Sequence, residues 1–324
     1  MNRNYSIDLL RVASSIAVIL IHIVSAPIVN SSSVIDSSII GALKLIHILM
    51  MWSVPVFFMI TGYCMLKKSE CTYKYCFKQV LKYVCVLFTV GFFYSLLEEV
   101  FSTSCINIST IKNSLFNVIS GNLWDHMWFV YSIIGVYLGM PVLHRFIRES
   151  EKDAFVFLIL LFFFTIISPS FSSVITVGID FPFSGYLFYV CFGGFIAKYN
   201  VRNDVSFFGF LAGVCSVFWI IVCGDGYSLE YSSLPISLVS MAVFLFVSQL
   251  KIGNNNLILL LSSCTWGVYL IHPFFINLAI KFFNIDFLVD FSFVKLFLFF
   301  VVVSLLSFMV TYVLKKIPYI KNLF

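Results

Sequence analysis

The chain has 324 residues, of which 61% are hydrophobic and only 11% charged, with a mean hydropathy of +1.03 and a net charge of +5. A water-soluble domain carries roughly 25% charged residues because its surface must be solvated. This composition therefore excludes a soluble globular protein and makes lipid the main solvent; no basic tract suggests a nucleic-acid partner.

Taken in order, the apolar runs predict about ten transmembrane helices of roughly 17–25 residues each. Their limits are 7–27, 41–66, 83–101, 127–147, 154–170, 183–199, 205–223, 233–250, 257–280 and 293–314. The runs are continuously apolar rather than alternating, which disfavours barrel strands. The expected fold is thus an all-α integral membrane domain spanning 1–324, with short loops and no appended soluble domain. A cleaved signal peptide over 1–26 is disfavoured by Asp8 and Arg11 inside the run and by the charge alternation that follows.

Orientation follows from the basic residues. With the N-terminus inside, sixteen of the 20 Lys and Arg fall on the cytoplasmic side, among them Arg3, Arg11, the Lys67–Lys82 group, Arg145, Arg148 and Lys315. Lys44, Lys112, Lys281 and Lys295 fall opposite. That asymmetry orients the protein with both termini cytoplasmic and calls for an even number of crossings. The nine Cys are scattered and suggest no disulfide framework.

The first helix carries the most informative polar groups. At 100° per residue, Arg11 and His22 return to within about 20° of one direction, some 16 Å apart along the axis. Asp8 and Ser15 share that stripe, so it faces protein or a cavity. A single membrane histidine can be a packing residue, and Arg11 can be an interfacial anchor. The remaining histidines argue for more. By this topology His22, His47, His126 and His272 all reach the outer half of the bilayer, from four different helices, and His144 lies at the cytoplasmic end. No HxxxH or HExxH spacing occurs, so general acid–base chemistry is expected rather than a metal site. Glu98 and Glu99 read as markers of the membrane border, and Trp124, Trp128 and Trp266 as sugar-stacking or interface-belt residues. Gly193-Gly194 and Gly209 with Gly213 read as sites of close helix packing.

Four segments together resemble the membrane acyltransferase-3 family of bacterial O-acyltransferases. Ile7-Asp8-Leu9-Leu10-Arg11 with His22 is similar to the family's opening signature, and Val54-Pro55 through Thr61-Gly62-Tyr63 to its second-helix motif. His126-Met127-Trp128-Phe129 resembles its His-x-Trp-Phe helix, and Ser263 through Tyr269-Leu270-Ile271-His272 its late motif. The resemblance runs nearly end to end. It implies a bacterial inner-membrane enzyme that uses cytoplasmic acetyl-coenzyme A as donor substrate, without a tightly bound cofactor. Its acceptor would be a sugar hydroxyl of a cell-surface polysaccharide, O-antigen type, or of a lipid-linked glycan precursor. His22 and Arg11 would be catalytic, with Asp8, His126, Trp128, Tyr269 and His272 in support. The family tends to be Arg-rich before a proline-led third helix; here Lys74, Lys78 and Lys82 stand instead and are the donor-binding residues expected there. The competing expectation is a proton-coupled glycolipid transporter or flippase, in which the histidines relay protons.

Overall fold

The computed structural model describes residues 4–30, 37–170, 185–199, 203–223, 230–282, 292–318, 320–321 and 323–324. All regular structure among these residues is helical, with no strand. Seven helices are long and apolar enough to cross a membrane: Tyr5–Ile28, Ser38–Leu66, Tyr73–Thr103, Ile108–Glu149, Glu151–Ser170, Asn256–Lys281 and Phe293–Leu314. Three shorter apolar helices, Gly185–Lys198, Gly209–Val222 and Leu234–Ser248, join them. Each of the ten apolar runs read from the sequence overlaps one of these helices.

The first helix, α1 (Tyr5–Asn30), packs against α2 (Ser37–Met50), α3 (Ser53–Leu66), α13 (Asn256–Asn277) and α14 (Phe293–Leu314). It is accordingly buried along most of its length, with Leu10, Ile19, Ile23 and Val24 all inaccessible. By contrast α14 turns Phe297, Leu305 and Met309 outward, as a lipid-facing helix should.

The second apolar run is two helices rather than one. Pro55 has no N–H to give the Met51 carbonyl, and its ring crowds that oxygen, so the helix breaks at Met51–Trp52. Ser53 Oγ donates to the Met50 carbonyl at 2.9 Å, and Met51 N bonds Ile48 O at 3.1 Å, so two of the carbonyls at the break have partners.

Past the break, α3 crosses α10 (Gly185–Lys198) at very short range. A Cβ on Gly193 would overlap the Met59 carbonyl, and one on Gly62 the Val190 carbonyl. Only glycine lets these backbones touch. In lipid, such contact dispersion rather than water exclusion holds helices together. Gly213 on α11 (Asn203–Cys223) meets Ala242 of α12 (Leu234–Ser248) in the same fashion.

Two features depart from the sequence reading. The third helix begins at α4 (Tyr73–Val86), ten residues before the expected start, and continues through a π-turn at Leu87–Gly91 into α5 (Phe92–Thr103). The expected outer loop beyond it contains a further helix, α6 (Ile108–Ser120), opened by an Asn107–Thr110 capping box and closed by Gly121 at φ 80°. A short turn at Asp125–Met127 then leads into α7 (Trp128–Glu149), and α8 (Glu151–Phe162) follows, capped by Ser150. It runs on through a π-turn to α9 (Ser168–Ser170).

Cys71, between α3 and α4, and Cys76, in the first turn of α4, are buried free thiols with their sulfurs 3.3 Å apart. Burial, helped by the Cys76 neighbour, pushes the Cys71 thiol up to about 12. Since the thiolate is the nucleophile, Cys71 at pH 8 should carry roughly a thousandfold less thiolate than an ordinary cysteine. Quantitative alkylation followed by peptide mapping should label the exposed Cys105 long before Cys71; equal labelling rates would contradict the packing described.

Candidate functional site

Three segments distant in sequence bring their histidines together. His22 comes from the middle of α1, His272 from α13, and His126 from the turn before α7. The ring centroids lie 5.1 Å apart for His22–His272, 5.9 Å for His126–His272 and 6.3 Å for His22–His126. His272 is inaccessible and His126 is 3% exposed. Nδ1 of His272 sits 3.0 Å from the Val268 carbonyl, which can only accept, so Nδ1 carries the hydrogen and the neutral ring presents Nε2 as a lone pair. That Nε2, and Nε2 of His126, are buried without a hydrogen-bond partner. Buried polar nitrogens left unpaired are costly, and of these two rings His126 lines cavity space together with His22. Among the described residues no group of three or more His, Cys, Asp or Glu is arranged to hold a metal ion.

The surrounding aromatic groups fix these rings. The Tyr269 hydroxyl donates to the His126 carbonyl, and Tyr94 donates to Leu270 O at 2.6 Å, two residues before His272. Trp266 stacks on Tyr269 at 5.4 Å, and Trp124 stacks on Tyr94 at 4.2 Å. Trp128 packs against Tyr186 and Tyr231.

The cavities explain why the histidines matter. A narrow waist of about 40 Å³ is lined by His22, His126, Trp128, Phe57, Phe129 and Tyr269 among others. Phe57, Phe129 and Tyr269 are shared with a cavity of about 310 Å³ that also holds Arg11, Lys68, Cys64, Tyr75 and Trp266. His22 and His126 are shared with a third cavity, about 400 Å³, lined by Glu98, Glu99, Asn117, Asn122, Trp124, Asp125, Asn277 and Lys281. The three cavities lie in series, with His22 at the junction.

At the Arg11 end, one guanidinium nitrogen donates to Asp8 Oδ1 at 3.0 Å and the other to Cys64 Sγ at 3.0 Å. Asp8, 2% exposed, also accepts from Ser262 Oγ at 2.6 Å, tying α1 to α13. Lys68 lies 3.8 Å above the Tyr75 ring. Asp8→Ala should lower stability by about 1–3 kcal/mol, since Ser262 loses its acceptor and Arg11 its brace. A thermal unfolding midpoint in detergent measures this, and Asp8→Asn, which keeps one acceptor oxygen, should lose less.

Several expected residues fall elsewhere. Lys74, Lys78 and Lys82 do not line the Arg11 cavity; Lys74 borders a separate recess with Phe77, Tyr137 and Pro141, while Lys68 takes the cavity position. His47 meets Ser25 at 2.9 Å instead of joining the three rings, and His144 bonds the Lys68 carbonyl. Conversely, Glu98 and Glu99, read as border markers, line the third cavity. Glu98 is held by Lys281 at 2.6 Å and Trp124 Nε1 at 3.1 Å, and Glu99 accepts from Asn117. The signal for this was present: Lys281 is one of four basic residues on the minority side, which calls for a carboxylate partner.

A family model described as an acyltransferase domain, the acyltransferase-3 model, matches residues 4–316. No curated protein and no solved structure matches the chain.

Proposed function

The chain belongs to the acyltransferase-3 family and is a multi-pass membrane acyltransferase, and on that premise we propose that it moves an acetyl group from cytoplasmic acetyl-coenzyme A to a sugar hydroxyl of a cell-surface polysaccharide or its lipid-linked precursor, in a bacterial inner membrane. The reading of ten crossings is supported by three shorter apolar helices beside seven long enough to cross, and that of cytoplasmic termini by the sixteen-of-20 distribution of Lys and Arg.

The observation that carries this reading is the series of cavities joined through the waist, which shares Phe57, Phe129 and Tyr269 with the Arg11 cavity and His22 and His126 with the Glu98 cavity. Two substrates from opposite faces of a membrane need separate cavities and one shared reaction point. The Arg11 cavity suits the donor: Arg11 and Lys68 offer charge and hydrogen bonds to phosphate, and the aromatic walls suit a thin, mostly apolar pantetheine arm. The Glu98 cavity, with carboxylates, amides and an indole, suits hydroxyl groups.

In the reaction, His22 takes the proton from the acceptor hydroxyl as its oxygen attacks the thioester carbonyl carbon. The new C–O bond forms, the C–S bond breaks, and the departing thiolate receives the proton. The products are the ester and free coenzyme A. Among its described lining residues the waist offers no serine, threonine or cysteine, which favours direct transfer over an acyl-enzyme on such a group. His272 and His126 stand beside His22, with ring centroids 5.1 and 6.3 Å away, and Arg11 is braced by Asp8.

The test uses sealed membrane vesicles carrying the protein and its glycan acceptor, with acetyl-coenzyme A supplied on the cytoplasmic face. Mass spectrometry of the glycan should show a gain of one acetyl group per modified sugar, dependent on donor. Glycan that crosses the membrane without donor and without a mass change would point to a transporter and overturn the proposal.

A further inference from the structure

We infer that the sugar residue received by the Glu98 cavity is uncharged, and that acidic sugars and phosphorylated head groups are rejected there. This rests on reading that cavity as the acceptor side.

The argument begins with its charge. Its described walls bring three carboxyl groups, Glu98, Glu99 and Asp125, against a single ammonium, Lys281. Lys281 is already committed: its Nζ contacts both Glu98 oxygens, at 2.6 and 2.7 Å. Among the described lining residues there is no arginine, although a planar guanidinium is the usual partner for a carboxylate or phosphate. An anionic sugar entering here would be desolvated beside uncompensated carboxylates, which is the repulsive arrangement that excludes a wrong partner.

The remaining walls fit a neutral polyol. Asn117, Asn122 and Asn277 offer both donors and acceptors, and carboxylate oxygens accept from paired hydroxyls. Trp124, stacked on Tyr94 at 4.2 Å, provides an indole edge bound to Glu98 and a flat apolar surface suited to the C–H face of a sugar ring. A second observation shows that this is a binding space rather than an acidic surface patch. His126, 3% exposed, lines it, and its buried Nε2 has no partner, leaving one position to be filled by an incoming hydroxyl. Glu99, in turn, is fixed by Asn117 and Asn113, so these carboxylates are positioned rather than free to swing away.

Two measurements test the inference. Surface glycans from cells with and without the gene are compared by tandem mass spectrometry. The acetyl group that depends on the gene should sit on a neutral hexose, deoxyhexose or N-acylated amino sugar. An acetyl group on a uronic, sialic or phosphorylated residue overturns the inference and leaves the acyltransferase reading intact. No gene-dependent acetyl group at all overturns both. In membranes supplied with donor, a neutral oligosaccharide should be acetylated at least about tenfold faster than a carboxylated one of equal length at low salt. The Glu99→Gln/Asp125→Asn variant should narrow that ratio severalfold, with KM falling for the acidic acceptor and rising for the neutral one, whose hydroxyls lose acceptor oxygens. An unchanged or widened ratio counts against the inference.

Discussion

Replacing His22 with Ala should reduce acyl transfer by about 10²–10⁴-fold, the usual contribution of a positioned general base, while the protein stays in the membrane. The size of the loss follows from location. His22 and His126 line both the waist and the Glu98 cavity, and on the proposed reading His22 is the α1 side chain placed to meet an acceptor hydroxyl and a thioester together. Stability should change little, because His22 faces cavity space and is not among the fully buried groups that carry the core. The paired measurements are ester formation from acetyl-coenzyme A and the thermal midpoint of the purified variant. Full activity in the Ala variant would remove His22 from the mechanism. Substituting His272 tests a different role, since its Nδ1 is tied to Val268 and it meets His22 at 5.1 Å between ring centroids. Its loss should reorient His22 and cost less than the loss of His22 itself.

Gly193→Val should abolish the folded protein rather than its chemistry. The added Cβ would fall on the Met59 carbonyl, a backbone atom with no rotamer to escape through. Separating α3 from α10 would also empty the contact between Phe58, Met59, Tyr189 and Val190, all fully buried. The expected cost exceeds about 4 kcal/mol, above the usual ~1–3 kcal/mol of core overpacking because the clash is with fixed backbone. The monodisperse yield in detergent should collapse. Gly135→Ala is the control: nothing lies within 4 Å of a Cβ there, and removing a mid-helix glycine should be neutral or stabilise by up to about 1 kcal/mol. Comparable yields for the two variants would contradict the close crossing.

Much of this architecture is written in the sequence as hydropathy. The apolar runs mark the helices because lipid tolerates little else, and the last of them, 293–314, coincides with α14 to the residue. The Arg11–His22 stripe was legible because helical periodicity is local. The meeting of His22 with His126 and His272 was legible only as a shared depth; depth does not say which helices are neighbours. What escaped has three physical causes. The break at Met51–Trp52 was masked by continuous hydrophobicity, although Pro55 was its signal. The amphipathic helices α4 and α6 alternate lysine or asparagine with apolar residues, so a hydropathy window averages them away. Glu98 and Glu99 lie where border residues and cavity residues have the same composition, and only the partnership with Lys281, 183 positions away, separates the two.

The waist has an electrical consequence. On the proposed reading the protein is hollowed from both faces and risks becoming a leak, and each elementary charge that crosses a membrane is worth about 2.3 kcal/mol per 100 mV. Phe57, Phe129 and Tyr269 leave about 40 Å³ between the two wider spaces, too little for a hydrated ion to pass. On the proposed route the phosphates remain with Arg11, the acyl unit passes the plug in one direction, and the acceptor's hydroxyl proton, relayed by His22, passes in the other to the departing thiolate. Donor and acceptor each keep their charge through the reaction, so no net charge crosses. Transfer should therefore be nearly voltage-insensitive: collapsing the membrane potential with an ionophore should leave its rate unchanged. In that respect the aromatic waist acts as insulation as much as a binding surface, letting chemistry reach across the bilayer while the bilayer remains sealed.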